Sequence, residues 1–203
     1  MEEAMRTRAF FYLLAVMILA STASATPPIP ALGTAVVDGE YGEWNLTHDF
    51  FADMYRAGNP NKPLESKLYL RYDCSTNTLY ALVLCEPGVV GYIDSTATTA
   101  WIAIGDQTNK VVNEISGNDG IPPDFAWIDR GFDGNPWHVH GYEASFTVMP
   151  GIYVIIAHID IWDVSSQTSA TMGFPGSGPE LVILDLPSAV QPATLGGLKA
   201  LYR

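Results

Sequence analysis

Between Asn113 and Gly141 the chain gathers side chains that could do chemistry, including Trp127-Ile-Asp-Arg-Gly-Phe-Asp-Gly-Asn-Pro-Trp137 and then His138-Val-His140. An irregular stretch of that length is commonly a working loop. Recognition of a sugar needs aromatic planes to lie on pyranose faces and carboxylates or amides to take hydroxyl hydrogen bonds. Trp127 and Trp137 on the loop, with Trp162 and Tyr92 at strand ends, supply the planes, and Asp124, Asp129 and Asn135 supply the acceptors. The competing reading tucks Trp127 and Trp137 onto the core to close the loop.

The same segment offers metal chemistry. Asp119, Asp124, Asp129 and Asp133 are candidate Ca2+ ligands, since that ion takes roughly six to eight oxygens, some from backbone carbonyls. They lack EF-hand spacing, and an acidic solvated loop is the alternative. His138 and His140 fall on the same side of an extended segment, which suits Zn2+ or Cu2+ if His158 or Glu143 adds a third ligand. A hydrogen-bonded pair of imidazoles explains them equally well. Haem ligation would draw on Met54, Met149 or Met172 and the four His, none in a distinctive pairing.

Enzymatic signatures are missing. Gly176-Ser177-Gly178 is flanked by Pro175 and Pro179 and so is not a nucleophile elbow, and the chain has no His-Glu-x-x-His, phosphate loop or dinucleotide fingerprint. With 22 acidic side chains some pair falls close by chance, so closeness alone does not mark a glycosidase. The expectation is a protein that is not an enzyme.

What must position these residues follows from the rest of the chain. Its 203 residues carry 22 acidic and 10 basic side chains, a formal charge of −12. The bases are scattered, which excludes a nucleic-acid partner. Hydrophobic residues make up 48%, with ten Tyr and five Trp, more than a disordered acidic chain carries. Arg6 and Arg8 precede an apolar run from Ala9 to Ala20, and Ala23-Ser24-Ala25 follows. That order predicts a signal peptide over residues 1–25 and a secreted, extracellular product. The run is too short to span a bilayer, and no transmembrane span is expected in the mature chain. Residues 26–32 form a Pro-rich leader, 33–186 a β-sandwich domain and 187–203 a C-terminal tail.

Runs of strand character occur at 35–37, 67–72, 79–85, 100–104, 111–112, 142–148, 152–161 and 181–186, punctuated by Gly, Pro, Asn and Asp. Helical spacing shows only at 49–56. Short strands with frequent turns predict an all-β antiparallel sandwich. Leu79-Tyr-Ala-Leu-Val-Leu84, apolar on both faces, reads as a strand in mid-sheet. Met149-Pro150-Gly151 reads as the turn of a hairpin that sets Val148 beside Tyr153 and Tyr142 beside Ile159 on a core face. Its other face, with Glu143, His158, Asp160 and Trp162, is either solvated surface or a binding surface. Cys74 at a turn and Cys85 at the far end of the return strand stand about 20 Å apart at about 3.3 Å per residue, so two unpaired thiols are expected. Asn45-Leu46-Thr47 is an N-glycosylation triplet.

Val37-Asp38-Gly39-Glu40 with Glu43-Trp44, followed by Leu68-Tyr-Leu-Arg-Tyr-Asp73 and Leu79-Tyr80, resembles the entry to family 9 carbohydrate-binding modules and their DOMON-like relatives. The resemblance covers residues 35–85 and, as strand order only, 100–161. It implies a jelly-roll-like β-sandwich, and sugar or haem as the bound group. In such modules a pair of aromatics clamps a terminal sugar. Trp44 is expected to pack at one end of the sandwich as a core residue.

The leading expectation is a secreted, non-catalytic module that binds carbohydrate or a cell-surface glycan, with a structural Ca2+ as its one candidate cofactor. The alternative is an extracellular structural or adhesive protein that self-associates, and the third is a haem-binding electron-transfer domain.

Overall fold

The computed structural model describes residues 29–94, 98–105, 109–112, 118–162, 167–171 and 180–184. The expected signal peptide, residues 26–28 of the expected leader, the turn-rich segment 173–179 and the expected tail lie outside the described residues. Among those described, every regular element is a strand: β1 (Ala31–Leu32), β2 (Phe50–Arg56), β3 (Leu64–Asp73), β4 (Thr78–Cys85), β5 (Val90–Tyr92), β6 (Ala100–Ile104), β7 (Asn109–Val112), β8 (Asp124–Ile128), β9 (His138–Val139), β10 (Gly141–Thr147), β11 (Gly151–Trp162), β12 (Gln167–Thr171) and β13 (Glu180–Ile183).

The strands form two layers. One runs β2-β3-β4-β10-β8, antiparallel throughout, with β1 added parallel to the end of β3. The other is built on β11, which pairs with β13, β6, β5 and β12 along its length, with β7 beyond β6 and β9 beyond β5. β12 also pairs with β2 and so joins the layers at one margin. The expected all-β sandwich is what the chain forms.

Between the layers lies one large core. Met54, Leu68, Leu70, Val83, Tyr142 and Phe146 from the first layer meet Ile102, Ile155, Ala157, Ile159 and Ile161 from the second. Each fully buried aliphatic side chain there contributes about 1.5–3 kcal/mol. β4 is central, as its two apolar faces predict, and Cys74 and Cys85 are free thiols. Burial pushes the Cys85 thiol up to about 12, so it remains protonated beside Ser66.

Four expectations are corrected. The 49–56 segment is strand, not helix. A bulge between Phe50 and Ala52 turns Phe51 inward along with Ala52 and Met54, and residues three apart sharing a face is also the helical spacing. Residues 35–37 are irregular backbone, while β1 starts the fold before Gly33. The long stretch read as irregular is described from residue 118 on, and there it is less irregular than read, because β8 and β9 lie within it.

The largest correction concerns Met149-Pro150-Gly151. β10 pairs with β4 and β8, whereas β11 pairs in the other layer, so the turn is an arch between sheets and no hairpin. The core face is nonetheless the expected one, since Tyr142, Ala144, Phe146, Val148, Ile155, Ala157 and Ile159 are all buried. Two hydroxyls hold the arch. Tyr72 Oη donates to Val148 O at 2.9 Å and Tyr153 Oη to Met149 O at 2.8 Å.

Residues 34–49 form a strap across the outside of the first layer. Arg71 on β3 pins it, with Nη1 donating to Thr34 O at 3.0 Å, Nη2 to Glu43 O at 2.7 Å and Nε to Asp49 Oδ2 at 2.8 Å. Burial alone would raise the Asp49 carboxyl, but the hydrogen bonds from Arg71 and Asn45 N–H outweigh it and hold it below its ordinary value. The Arg71 guanidinium also stands over the Trp44 ring, which is buried as expected. At the other end the Asp38-Gly39 turn and the Trp44 indole converge on Glu143, a fully buried residue of β10.

Candidate functional site

Alternation along β11 settles which side chains leave the core. Ile155, Ala157, Ile159 and Ile161 point in, so His158, Asp160 and Trp162 line the outer face. Trp101 on β6 stands opposite His158, and their rings stack at 5.2 Å with 7° between planes. His158 Nε2 lies 2.9 Å from Asp160 Oδ1.

Beyond Trp162 the face continues onto β5 and β9. The backbone is closely packed at Gly91, where a Cβ would meet Val139 Cγ2 at 2.8 Å and Ile159 Cδ1 at 2.9 Å and force those side chains to shift. With Gly91 facing inward, Tyr92 faces out and lies 4.9 Å from the Trp162 ring at 37°. His138, paired with Tyr92 in register, brings its ring to 5.8 Å from Trp162. Trp162 is 43% exposed, so its ring is not spent on packing.

The loop before β9 is a series of tight turns that aim polar groups at the same place. Gly131 N donates to His138 O at 2.8 Å and His138 N to Asn135 O at 3.0 Å, closing residues 131–138 on themselves. The His138 ring is held at both nitrogens, Nδ1 2.6 Å from Asp133 Oδ2 and Nε2 3.0 Å from Asn135 Nδ2. That arrangement suits the neutral ring with its hydrogen on Nδ1, donating to the carboxylate while Nε2 accepts from the amide. The bond to His138 and the Asn135 N–H hold the Asp133 carboxyl below its ordinary value. His140 Nδ1 is 3.0 Å from Asp129 Oδ2, with Phe132 stacked on the His140 ring at 3.7 Å. Trp137 is 38% exposed, and the Arg130 guanidinium stands 6.0 Å from its ring.

The structure therefore brings Trp162, Tyr92 and Asn135 together around His138, with Trp137 and Asp129 on the adjoining loop. Trp127 and Asp124 serve elsewhere. The Trp127 ring packs edge-on to Phe125 at 4.9 Å and Tyr142 at 6.4 Å, against the core. Asp124 is buried in β8, where Asp119 N and Gly120 N donate to Oδ1 and Ser145 Oγ to Oδ2. It sits in a cleft of about 360 Å3 beneath Val36, Asp38 and Tyr80, on the other layer.

The four candidate Ca2+ ligands have separate tasks: Asp119 Oδ1 accepts from Ile121 N, Asp124 orders its own turn, and Asp129 and Asp133 each face a His. Among the described residues no three His, Cys, Asp or Glu side chains converge as a metal site. Of the third ligands considered for His138 and His140, His158 is turned to Asp160 and Glu143 is sealed under Trp44.

Sequence reading did not single out Trp101, Phe132 or Arg130. The signal for Trp101 was present in its position one residue off the inward series Ala100, Ile102, Ile104. Phe132 and Arg130 belong to turns whose closure only the backbone reveals.

No protein-family model matches the chain, and no curated protein matches it. Among solved structures it is similar to a family 9 carbohydrate-binding module from Caldicellulosiruptor kristjanssonii in complex with glucose, at 14% identity and a TM-score of 0.49 over 82% of this chain and 100% of that one. A second structure of a family 9 module from the same organism, in complex with cellotriose, gives 14% identity and a TM-score of 0.48 over 80% of this chain and 95% of that one.

Proposed function

We propose that this protein is a secreted, non-catalytic carbohydrate-binding module whose ligand face is the outer surface of β11, β5 and β9. The observation that carries the reading is the exposed Trp162 ring set 4.9 Å from Tyr92 and bordered by the polar edge of His138, Asp133 and Asn135. An indole that leaves an apolar plane in water, beside fixed donors and acceptors, matches the amphipathic character of a pyranose. Glu143 lends no support to a catalytic reading. This carboxyl, pushed by burial to about 7, has the titration range of a general acid or base. It is fully buried, with both oxygens held by Trp44, Gly39 and Asp38, and has no path to a substrate.

A glycan array probed with the secreted protein tests the reading. Binding to neutral glycans, weakened at least about tenfold by Trp162→Ala, is expected, since that change removes the stacking plane. An array with no ligand above background retires it. Trp127→Ala is expected to lower stability instead, by about 3–5 kcal/mol for a fully packed indole and less for this half-buried one.

A further inference from the structure

We propose that Asn45 is a modification site and carries an N-linked glycan on the outer side of the first layer. This requires the secreted part of the reading above and is independent of sugar binding. Asn45-Leu46-Thr47 is the chain's one Asn-x-Ser/Thr triplet, with Leu rather than Pro in the middle. In the fold it lies near the end of the strap, between buried Trp44 and buried Asp49, and all three of its residues are exposed. The strap covers the first layer, whereas Trp162, Tyr92 and His138 belong to the second. A glycan on Asn45 and the ligand face therefore occupy opposite sides of the sandwich.

The backbone under the acceptor is fixed. Asn45 N donates to Asp49 Oδ2 at 2.8 Å, Asp49 N donates to Asn45 O at 2.8 Å, and Asp49 is itself held by Arg71 of β3. Within that turn the two ends of the Asn45 amide have different tasks. Oδ1 accepts from Thr47 N at 3.2 Å and His48 N at 3.0 Å. Nδ2 and the Thr47 hydroxyl have no hydrogen-bond partner among the described residues. In the transfer, Nδ2 attacks the anomeric carbon of an oligosaccharide carried on a lipid diphosphate, the donor that the transferase of a secretory compartment supplies. A C–N bond forms, the bond from that carbon to the diphosphate oxygen breaks, its electron pair leaves on the lipid diphosphate, and the nitrogen gives up one proton. The linked amide keeps its carbonyl oxygen, so both bonds to Oδ1 survive and the turn loses nothing. Leu46 and Phe50, both exposed, leave apolar surface on the same segment for the first sugars to cover.

Mass spectrometry of the protein recovered from the medium of its own source cells, before and after treatment with peptide N-glycosidase, is the experiment. A loss of mass is expected, with the Asn45 peptide recovered as Asp at that position because the enzyme hydrolyses the amide. Thr47→Ala, expressed in the same cells, should abolish that loss although it keeps the backbone N–H that holds Asn45 Oδ1, whereas Thr47→Ser should retain it. An Asn45 peptide recovered wholly as unmodified Asn from the medium overturns the glycan and leaves secretion and sugar binding standing. Protein found only inside the cells, with the same unmodified peptide, overturns the glycan together with the secretion it requires. A mass loss that persists in Thr47→Ala equally overturns the assignment to this triplet.

Discussion

Three N–H donors converge on Glu143: Trp44 Nε1 at 2.7 Å from Oε1, and Gly39 N at 3.0 Å and Asp38 N at 3.3 Å from Oε2. Only glycine fits the second of these positions. Gly39 has φ +89°, and a Cβ there would lie 2.7 Å from the Trp127 carbonyl oxygen. The Asp-Gly and Trp of the sequence motif are thus parts of one clasp whose third part, Glu143, lies about a hundred residues further on. Glu143→Ala leaves three donors facing a void and is expected to cost about 3 kcal/mol, read as a shift in urea midpoint at unchanged slope.

The clasp also sets a pH dependence. Burial raises the Glu143 carboxyl from 4.5 to about 7, more than its three donors lower it. Below its unfolded value it is protonated in both states. Between 4.5 and 7 the folded protein keeps a proton that the unfolded chain releases, so stability falls as pH rises through that window. The loss amounts to roughly 3 kcal/mol. Asp49, Asp73 and Asp133 act oppositely, with carboxyls held low, and their contribution disappears only as pH drops below the ordinary Asp range. Denaturation at pH 5, 6, 7 and 8 should show a decline from pH 5 to 7 that levels off by pH 8 in the parent, and a nearly flat profile in Glu143→Gln. An equal decline in that variant would assign the effect to other groups.

At the level of strands, alternation in the sequence determined faces and left partners open. Tyr142, Phe146, Ile155 and Ile159 were legible as core because a period of two fixes which side of the ribbon a residue occupies. That β10 and β11 belong to different layers was not legible, since a Pro-Gly dipeptide marks a change of direction equally in a hairpin and in an arch. The difference lies in distant groups, the Tyr72 and Tyr153 hydroxyls on the arch carbonyls. For the same reason Trp162 could be placed outward from its strand alone, while Trp127 could not be separated from Trp137 until β8 was seen paired with β10. Gly141 tests how tightly that pairing is set. A Cβ at this position runs into the Val83 carbonyl oxygen of the adjacent strand. Gly141→Ala must push β10 off β4 and is expected to cost about 1–3 kcal/mol, with loss of protection of the Leu84 and Tyr142 amides in hydrogen exchange.

Across the whole molecule, charge and the ligand face act in the same direction. The chain carries −12, and the site itself is bordered by Asp129, Asp133 and Asp160, with Arg130 turned to the Trp137 ring and the Pro136 carbonyl. A polyanionic glycan approaching this face meets repulsion at long range and a guanidinium already engaged at short range. A neutral sugar meets neither, because its stacking on Trp162 and hydrogen bonds to fixed groups involve no net charge. Affinity for the neutral glycans found on an array is therefore expected to change less than about twofold between 0.05 and 0.5 M NaCl, a range over which screening shrinks from more than 10 Å to a few ångström. Polygalacturonate and heparin should show no retention at physiological salt. Retention of either more strongly than a neutral glycan, and its loss on adding salt, would place the binding face elsewhere on the molecule, since among the described residues no cluster of bases borders the surface described above.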